Sequence, residues 1–297
     1  MNRFQFLALI TLCGLCFSGC NHLLYPADRV PYIIPEQIKP QPVDVRIPVG
    51  ATSQNESLHG WYFKQISKQR KGIVVQFHGN GQNLTTHFLF FKWMTDHGYD
   101  FLIFDYRGYG ASSGEDATQE KTVQDGIAVF DFLHKNYPGV PVIAIGQSLG
   151  SAVLGRTLQE LNRTQPQLLP QFVVFDSSFI SYQAAARSIL SQRWFLYLVK
   201  PFTYFLIDDD WSPKADLKDQ PQIPALFFHN SGDTLIRLGL GQDAFDEWKG
   251  PKHFVKDENG VHTSAFGDPR FVQNKVTLIR CLDFVLIQKQ NLEACLK

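Results

Sequence analysis

Gly146-Gln147-Ser148-Leu149-Gly150 places a serine two residues from a glycine on either side, the spacing of a nucleophile held on a sharp turn. The requirement is steric. The serine backbone is strained at such a turn, and large side chains at Gly146 and Gly150 would collide with the neighbouring chain. The turn lifts the hydroxyl above the end of a strand. The helix that follows sets free N–H groups and the positive end of its dipole beneath it. The flanks suit this setting: 141–147 (PVIAIGQ) reads as a buried strand and 149–161 as a helix. The bland reading is a small-residue turn, because a pentapeptide of this kind recurs by chance.

A serine hydroxyl is a weak nucleophile and needs a base. His262, in Gly260-Val261-His262-Thr263, precedes the last predicted helix and follows both the serine and a candidate acid in the chain, one of the orders in which such triads occur. His229 closes a strand, His253 falls within another (HFVK), and His78 belongs to a different loop. The acid that would orient the imidazole is Asp233, in Asn230-Ser231-Gly232-Asp233-Thr234 after the PALFFH strand. Asp176, in FDSS, is the rival, with an Asx turn or helix cap as its structural explanation. The run Asp208-Asp209-Asp210 reads as a solvated lid edge or turn.

Acyl transfer also needs donors for the oxyanion, and losing one typically costs on the order of 10²–10³ in rate. Leu149, directly after the serine, offers one backbone N–H. The turn His78-Gly79-Asn80-Gly81 offers the other, from Asn80, with glycines that let the chain approach a ligand closely.

The elements that must position these groups alternate. Strands are predicted at 58–64, 72–78 (GIVVQFH), 99–105 (YDFLIFD), 141–147, 172–177 (FVVFDS) and 224–229 (PALFFH). Helices are predicted at 84–97, 118–136 with Thr118 as N-cap, 149–161, 240–248 and 269–288. Buried β-rich runs between helices predict a mostly parallel sheet covered on both faces, an α/β fold. The stretch 179–217 is too long for an ordinary crossover and carries two aromatic-rich runs, so it predicts a helical lid. Its apolar faces would line an acyl pocket or touch a membrane, or simply pack on the body.

The N-terminus has a different character. Arg3 followed by the apolar run 4–17 is too short to cross a bilayer and has the form of a secretory signal. Phe17-Ser18-Gly19-Cys20 resembles the lipobox of bacterial lipoproteins, which implies cleavage after residue 19 and acylation of Cys20, with an envelope location. An ordinary signal peptide or uncleaved anchor is the alternative. The proline-rich segment 20–48 reads as a tether or edge segment, leaving 49–297 as one domain. Cys281 and Cys295 would be either a disulfide or one buried and one free thiol. Lys plus Arg and Asp plus Glu balance at 28 each, with no long basic run, which gives nucleic acid no support as a partner. The histidines are scattered, so no metal or other cofactor is expected.

Taken together, GIVVQFHGNGQN, DYRGYGASSGE, GQSLGSA, NSGDTLI and GVH resemble the serine α/β-hydrolases, in particular the BEM46-like and ABHD-type group, over residues 72–286. The resemblance implies an eight-stranded, mostly parallel sheet with a cap, a Ser148–Asp233–His262 triad, and Asn80 and Leu149 as oxyanion donors. It makes Arg107, in the turn after the fourth strand, a structural residue with local pairing. One departure concerns the acid turn, which continues Thr234-Leu235-Ile236-Arg237 where the group has valine–proline. The expectation is hydrolysis of a small-molecule or lipid ester through an acyl-enzyme. A peptidase or acyltransferase would use the same groups, and a non-catalytic envelope protein would retain the fold with a broken triad.

Overall fold

The computed structural model describes residues 24–50, 56–67, 69–191 and 203–296. The signal segment, Cys20 and the centre of the expected lid (192–202) lie outside the described residues. Eight strands form one sheet: β1 (Val43–Pro48), β2 (Ser57–Phe63), β3 (Gly72–Phe77), β4 (Tyr99–Phe104), β5 (Val142–Gln147), β6 (Phe172–Asp176), β7 (Ala225–Asn230) and β8 (Lys252–Asp257). Their order is β1-β2-β4-β3-β5-β6-β7-β8. β2 is antiparallel to both β1 and β4, and every other pair is parallel.

Every residue of β3, β4, β6 and β7 is buried, as expected of parallel strands covered on both sides. Successive side chains point to opposite faces. Ile73, Val75 and Phe77 of β3 join a core with Phe104, Phe130 and Leu158, whereas Val74 joins Phe101, Ile103 and Leu278 on the other face.

The principal helices are α1 (Leu84–His87), α2 (Gln119–Asn136), α3 (Leu149–Thr164), α4 (Tyr182–Leu190), α5 (Thr203–Leu206), α6 (Leu238–Glu247) and α7 (Val272–Leu282). Thr118 caps α2 by accepting from Lys121 N. Two expected helices are broken. The stretch predicted as a helix at 84–97 gives only α1, with Asn83 capping it, before the chain tightens into 3₁₀ turns at Phe88–Phe90 and Lys92–His97. Its buried residues Phe88, Phe91 and Met94 recur every third position, which suits the 3₁₀ period better than the α period. The closing segment divides into a 3₁₀ turn (Pro269–Phe271), α7 and a π turn (Asp283–Ile287). A disulfide joins Cys281, at the end of α7, to Cys295, deciding between the two readings of that pair.

Residues 24–48 are not a free tether but include an edge strand, the other reading of that segment. β1 belongs to the sheet, so the strands begin before residue 49. Tyr25 is fully buried, and its hydroxyl donates to the Tyr182 hydroxyl on α4 at 2.8 Å. An aromatic ring beside a proline is read as linker from local sequence, yet it gains the free energy of complete burial once the body is folded.

Between β6 and β7 lie α4, α5 and a 3₁₀ stretch, Pro213–Asp219. The Asp208–Asp210 run, expected as a solvated lid edge or turn, is partly structural. The Asp209 carboxylate accepts from Ser181 Oγ at 2.5 Å and from Gln183 N, tying the start of α4 to the end of the insertion. Arg107 pairs locally: its Nε donates to Asp125 at 2.6 Å and its Nη1 to Glu56 at 3.0 Å. Burial pushes the Asp125 carboxyl up to about 6 against the pull of that guanidinium.

Candidate active site

Ser148 sits between the end of β5 and the first residue of α3, with φ 53° and ψ −118°. That left-handed backbone is costly for a residue with a β-carbon and is held by its surroundings. The glycines of the motif explain how. A β-carbon on Gly146 would lie 2.6 Å from Ser151 Cα, and one on Gly150 would fall on the Phe77 carbonyl oxygen. The backbones of β3, β5 and α3 therefore close around the serine at distances that only hydrogen permits. Ser148 N donates to the Asp176 carbonyl at 2.9 Å, and the whole residue is only 7% exposed.

His262 stands in the loop between β8 and α7. Its Nε2 is 2.8 Å from Ser148 Oγ and its Nδ1 is 2.7 Å from Asp233 Oδ2. A carboxylate accepts only, so Nδ1 carries the proton and Nε2 faces the hydroxyl as an acceptor. The other carboxylate oxygen of Asp233 accepts from Leu235 N and Ile236 N, each at 2.9 Å. The Thr234-Leu235-Ile236 turn thus supplies two main-chain donors that hold the acid in place. The structure brings together Ser148, His262 and Asp233, as the sequence predicts, over 114 and 29 residues of separation.

The turn after β3 reaches the same place. A β-carbon on Gly79 would lie 3.4 Å from Ser148 Cβ, so Asn80 follows directly beside the serine. Among the described residues, no protein acceptor takes the backbone N–H of Asn80 or of Leu149. The Asn80 side chain is engaged elsewhere: Nδ2 donates to the Leu24 carbonyl at 3.0 Å, and Oδ1 accepts from Gly81 N.

The rival residues have other roles. His229 is buried behind the acid, donating Nε2–H to the Ile236 carbonyl at 2.8 Å and standing 3.6 Å from Asp233 Oδ2. Burial lowers its pKa. His78 is fully buried against the Tyr106 and Tyr109 rings. His253 lies within β8. Asp176 ends β6 and accepts from Gln147 Nε2 at 3.0 Å. Complete burial, reinforced by the Asp233 charge, raises its pKa to about 6, while the Gln147 hydrogen bond and His262 pull the other way.

Three supporting groups escape motif reading. Ser177, at φ 55°, accepts on its hydroxyl from Thr263 N at 3.1 Å, so the residue after His262 is tied to the end of β6. Tyr109 OH lies 3.4 Å from Asn80 Oδ1. Leu24 holds the Asn80 amide from a segment that carries no motif at all. Ser177 and Tyr109 had local signals, in FDSS beside a candidate acid and in DYRGYGASSGE, but neither pattern assigns this role.

An eight-stranded sheet of this order, with a serine on the turn after β5, an acid after β7 and a histidine after β8, defines an α/β-hydrolase fold. Residues 68–205 match the family model described as serine aminopeptidase, S33. The chain is 24% identical over 271 residues to the uncharacterized protein YfhR of Salmonella typhimurium, covering 88% of this chain and 87% of that one. It is 23% identical over 208 residues to the lysophosphatidylserine lipase ABHD12 of Danio rerio, covering 67% of this chain and 53% of the relative. Among solved structures it is similar to the Pyrococcus furiosus esterase Pf2001, with a TM-score of 0.63, 22% identity, and coverage of 85% of this chain and 95% of that one.

Proposed function

We propose that this protein is a serine hydrolase that cleaves carboxylic esters through an acyl-enzyme. The observation that carries the reading is the unbroken relay from Ser148 Oγ to His262 at 2.8 Å and on to Asp233 at 2.7 Å, beside two backbone N–H groups without a protein acceptor among the described residues.

In this reaction Ser148 Oγ attacks the ester carbonyl carbon while His262 Nε2 takes its proton. Asp233 fixes the tautomer and stabilises the imidazolium. The tetrahedral oxyanion lies between the N–H groups of Leu149 and Asn80, which face the position where charge develops and need no reorganisation. Collapse of this intermediate breaks the bond to the alcohol, which leaves with the proton from His262. A water molecule, deprotonated in turn by His262, then attacks the acyl-enzyme and releases the acid and free Ser148.

Labelling with a fluorophosphonate probe tests the nucleophile. The wild-type chain should be modified on Ser148 and the Ser148→Ala variant should not. Equal labelling of both would overturn the assignment. The family description favours a second chemistry, so the substrate panel should pair p-nitrophenyl esters of rising chain length with aminoacyl p-nitroanilides. Turnover of the anilides alone would make the protein an aminopeptidase.

The reading includes an anchor. Cleavage before Cys20 and acylation of its thiol would hold the protein on a membrane of the cell envelope, since two or more acyl chains at about 0.8 kcal/mol per buried CH₂ give firm attachment. Mass analysis of the mature N-terminus should find acylated Cys20, and an unmodified soluble product would refute it.

A further inference from the structure

The segment that leaves the fold toward Cys20 does so at the active site. Asn80 Nδ2, in the loop beside Ser148, holds the Leu24 carbonyl at 3.0 Å. The chain then runs along that same loop. Asn83 Nδ2 donates to the carbonyls of Asp28 and Val30, and Tyr32 N donates to Thr85 Oγ1 at 3.1 Å. Tyr25 is locked into the body. Cys20 lies four positions before Leu24 in the sequence, a step that spans at most about 14 Å even fully extended. An acyl group on Cys20 therefore keeps the Asn80 loop within about that distance of the lipid surface.

Among the exposed residues near this exit, beside Arg29 and Glu36, four are large and apolar. Val30, Tyr32 and Ile34, spaced two apart, are 55%, 46% and 45% exposed, and Leu89, one turn beyond Thr85, is 60% exposed. Ile33 between them packs inward on the core. Lys92 lies three residues beyond Leu89 and donates to the Lys39 carbonyl, while the Asp28 carboxylate accepts from Tyr32 OH at 2.6 Å and from Val30 N at 2.8 Å. Scattered exposed apolar residues need no explanation, but several of them beside a chain exit that leads to an acylation candidate do. Among the described residues no helix is long and apolar enough to cross a membrane.

We propose that the face carrying Val30, Tyr32, Ile34 and Leu89 rests on the bilayer that holds Cys20, so that Ser148 works on ester bonds of lipids at that surface. The orientation rests on the acylation of Cys20 and the substrate class rests on the esterase reading. The apolar patch can be tested apart from both.

The full chain is reconstituted into phosphatidylethanolamine–phosphatidylglycerol vesicles, and a bimane label is placed on Leu89→Cys or, for comparison, on Val276→Cys, an exposed position of α7. Brominated lipid should quench the label at 89 severalfold more than the label at 276. Equal quenching, or stronger quenching at 276, overturns the proposal. So does protection of the label at 89 that depends on protein concentration and not on lipid, which would mark a contact between copies of this chain.

A second arm uses the Cys20→Ser chain, which lacks the anchor. It should sediment with the same vesicles, and Val30→Asp/Leu89→Asp should reduce that binding at least fivefold while hydrolysis of a soluble short-chain ester is unchanged. Loss of neither overturns the patch. A chain that binds vesicles through the patch but hydrolyses no ester would refute the esterase reading and leave the surface standing. Insertion of twenty Gly/Ser residues after Cys20 in the lipidated chain should lower hydrolysis of vesicle-embedded lipid ester at least fivefold without affecting the soluble ester. Unchanged vesicle hydrolysis would overturn the tight coupling of anchor and site.

Discussion

Ser148 N donates to the carbonyl of Asp176 at 2.9 Å, while His262 turns its Nδ1 to Asp233. The two carboxylates after neighbouring strands are thereby separated in role: one supports the nucleophile through its main chain, and the other touches the histidine. Asp233→Asn should cost about 10⁴ in kcat, because an amide no longer enforces the productive tautomer. Asp176→Asn should cost less than about tenfold, since its side chain contacts no reacting atom. Steady-state kinetics on a soluble ester compares them, and equal losses would contradict the geometry.

The raised pKa of Asp176 makes a prediction about stability. The folded protein binds that proton more tightly than the unfolded chain, with a pKa of about 6 against an ordinary value of 3.8. Its contribution to stability is therefore greatest at low pH and falls as pH rises from about 4 to about 6. Asp176→Asn removes the dependence. Relative to wild type, the variant should gain on the order of 2–3 kcal/mol between pH 4 and pH 7, read as urea midpoints across that range.

His87 works in the opposite direction. Burial, and then the neighbouring His78, lowers its pKa to about 4 from 6.5. The unfolded chain takes up that proton first, so this contribution is present above about pH 6.5 and is lost as pH falls toward 4. His87→Gln should flatten the acid side of the stability profile, and thermal unfolding between pH 4 and 7 reads it. An unchanged slope would show that His87 is not buried neutral.

Glycines at the turn and on a surface helix should respond with opposite signs. Gly150→Ala puts a β-carbon on the Phe77 carbonyl oxygen, a backbone atom that cannot move aside. A loss of at least about 1–3 kcal/mol is expected. Gly239, in α6, has nothing within 4 Å of an added β-carbon, so Gly239→Ala should stabilise by about 0.5–1 kcal/mol through helix propensity. Chemical denaturation of both variants checks the pair.

The Cys281–Cys295 bridge closes a loop with a sequence separation of 14. Cross-links of that span contribute about 3 kcal/mol, and Cys295→Ser should lose roughly that much. Ester turnover at temperatures well below unfolding should be retained, because the bridge ties the C-terminal end to α7 and touches no group of the site. Loss of turnover in a folded variant would show that α7 transmits to the His262 loop.

The legible parts of this protein are those written in short, local patterns. The nucleophile turn could be read because glycines at 146 and 150 stand at a fixed spacing around Ser148, although the contact that demands Gly150 is with Phe77 of β3. Buried strands could be read because both faces of a covered parallel sheet require apolar residues. Chain order then favoured His262, while Asp233 was preferred to Asp176 because an Asx turn or cap already explained the latter. The stretch 84–97 was less legible, because its apolar residues fit both helical periods and only packing on the sheet selects the tighter one. The sequence by itself determined the α/β alternation, the residues able to do acyl-transfer chemistry and their order along the chain. Tertiary structure alone decided that Tyr25 is core and not linker, that Leu24 holds the Asn80 side chain, that Asp176 accepts from Gln147 while His262 pairs with Asp233, and that Cys281 meets Cys295. Each of these depends on a contact between segments far apart in the chain, and the energy of such a contact exists only after the fold has brought the partners together.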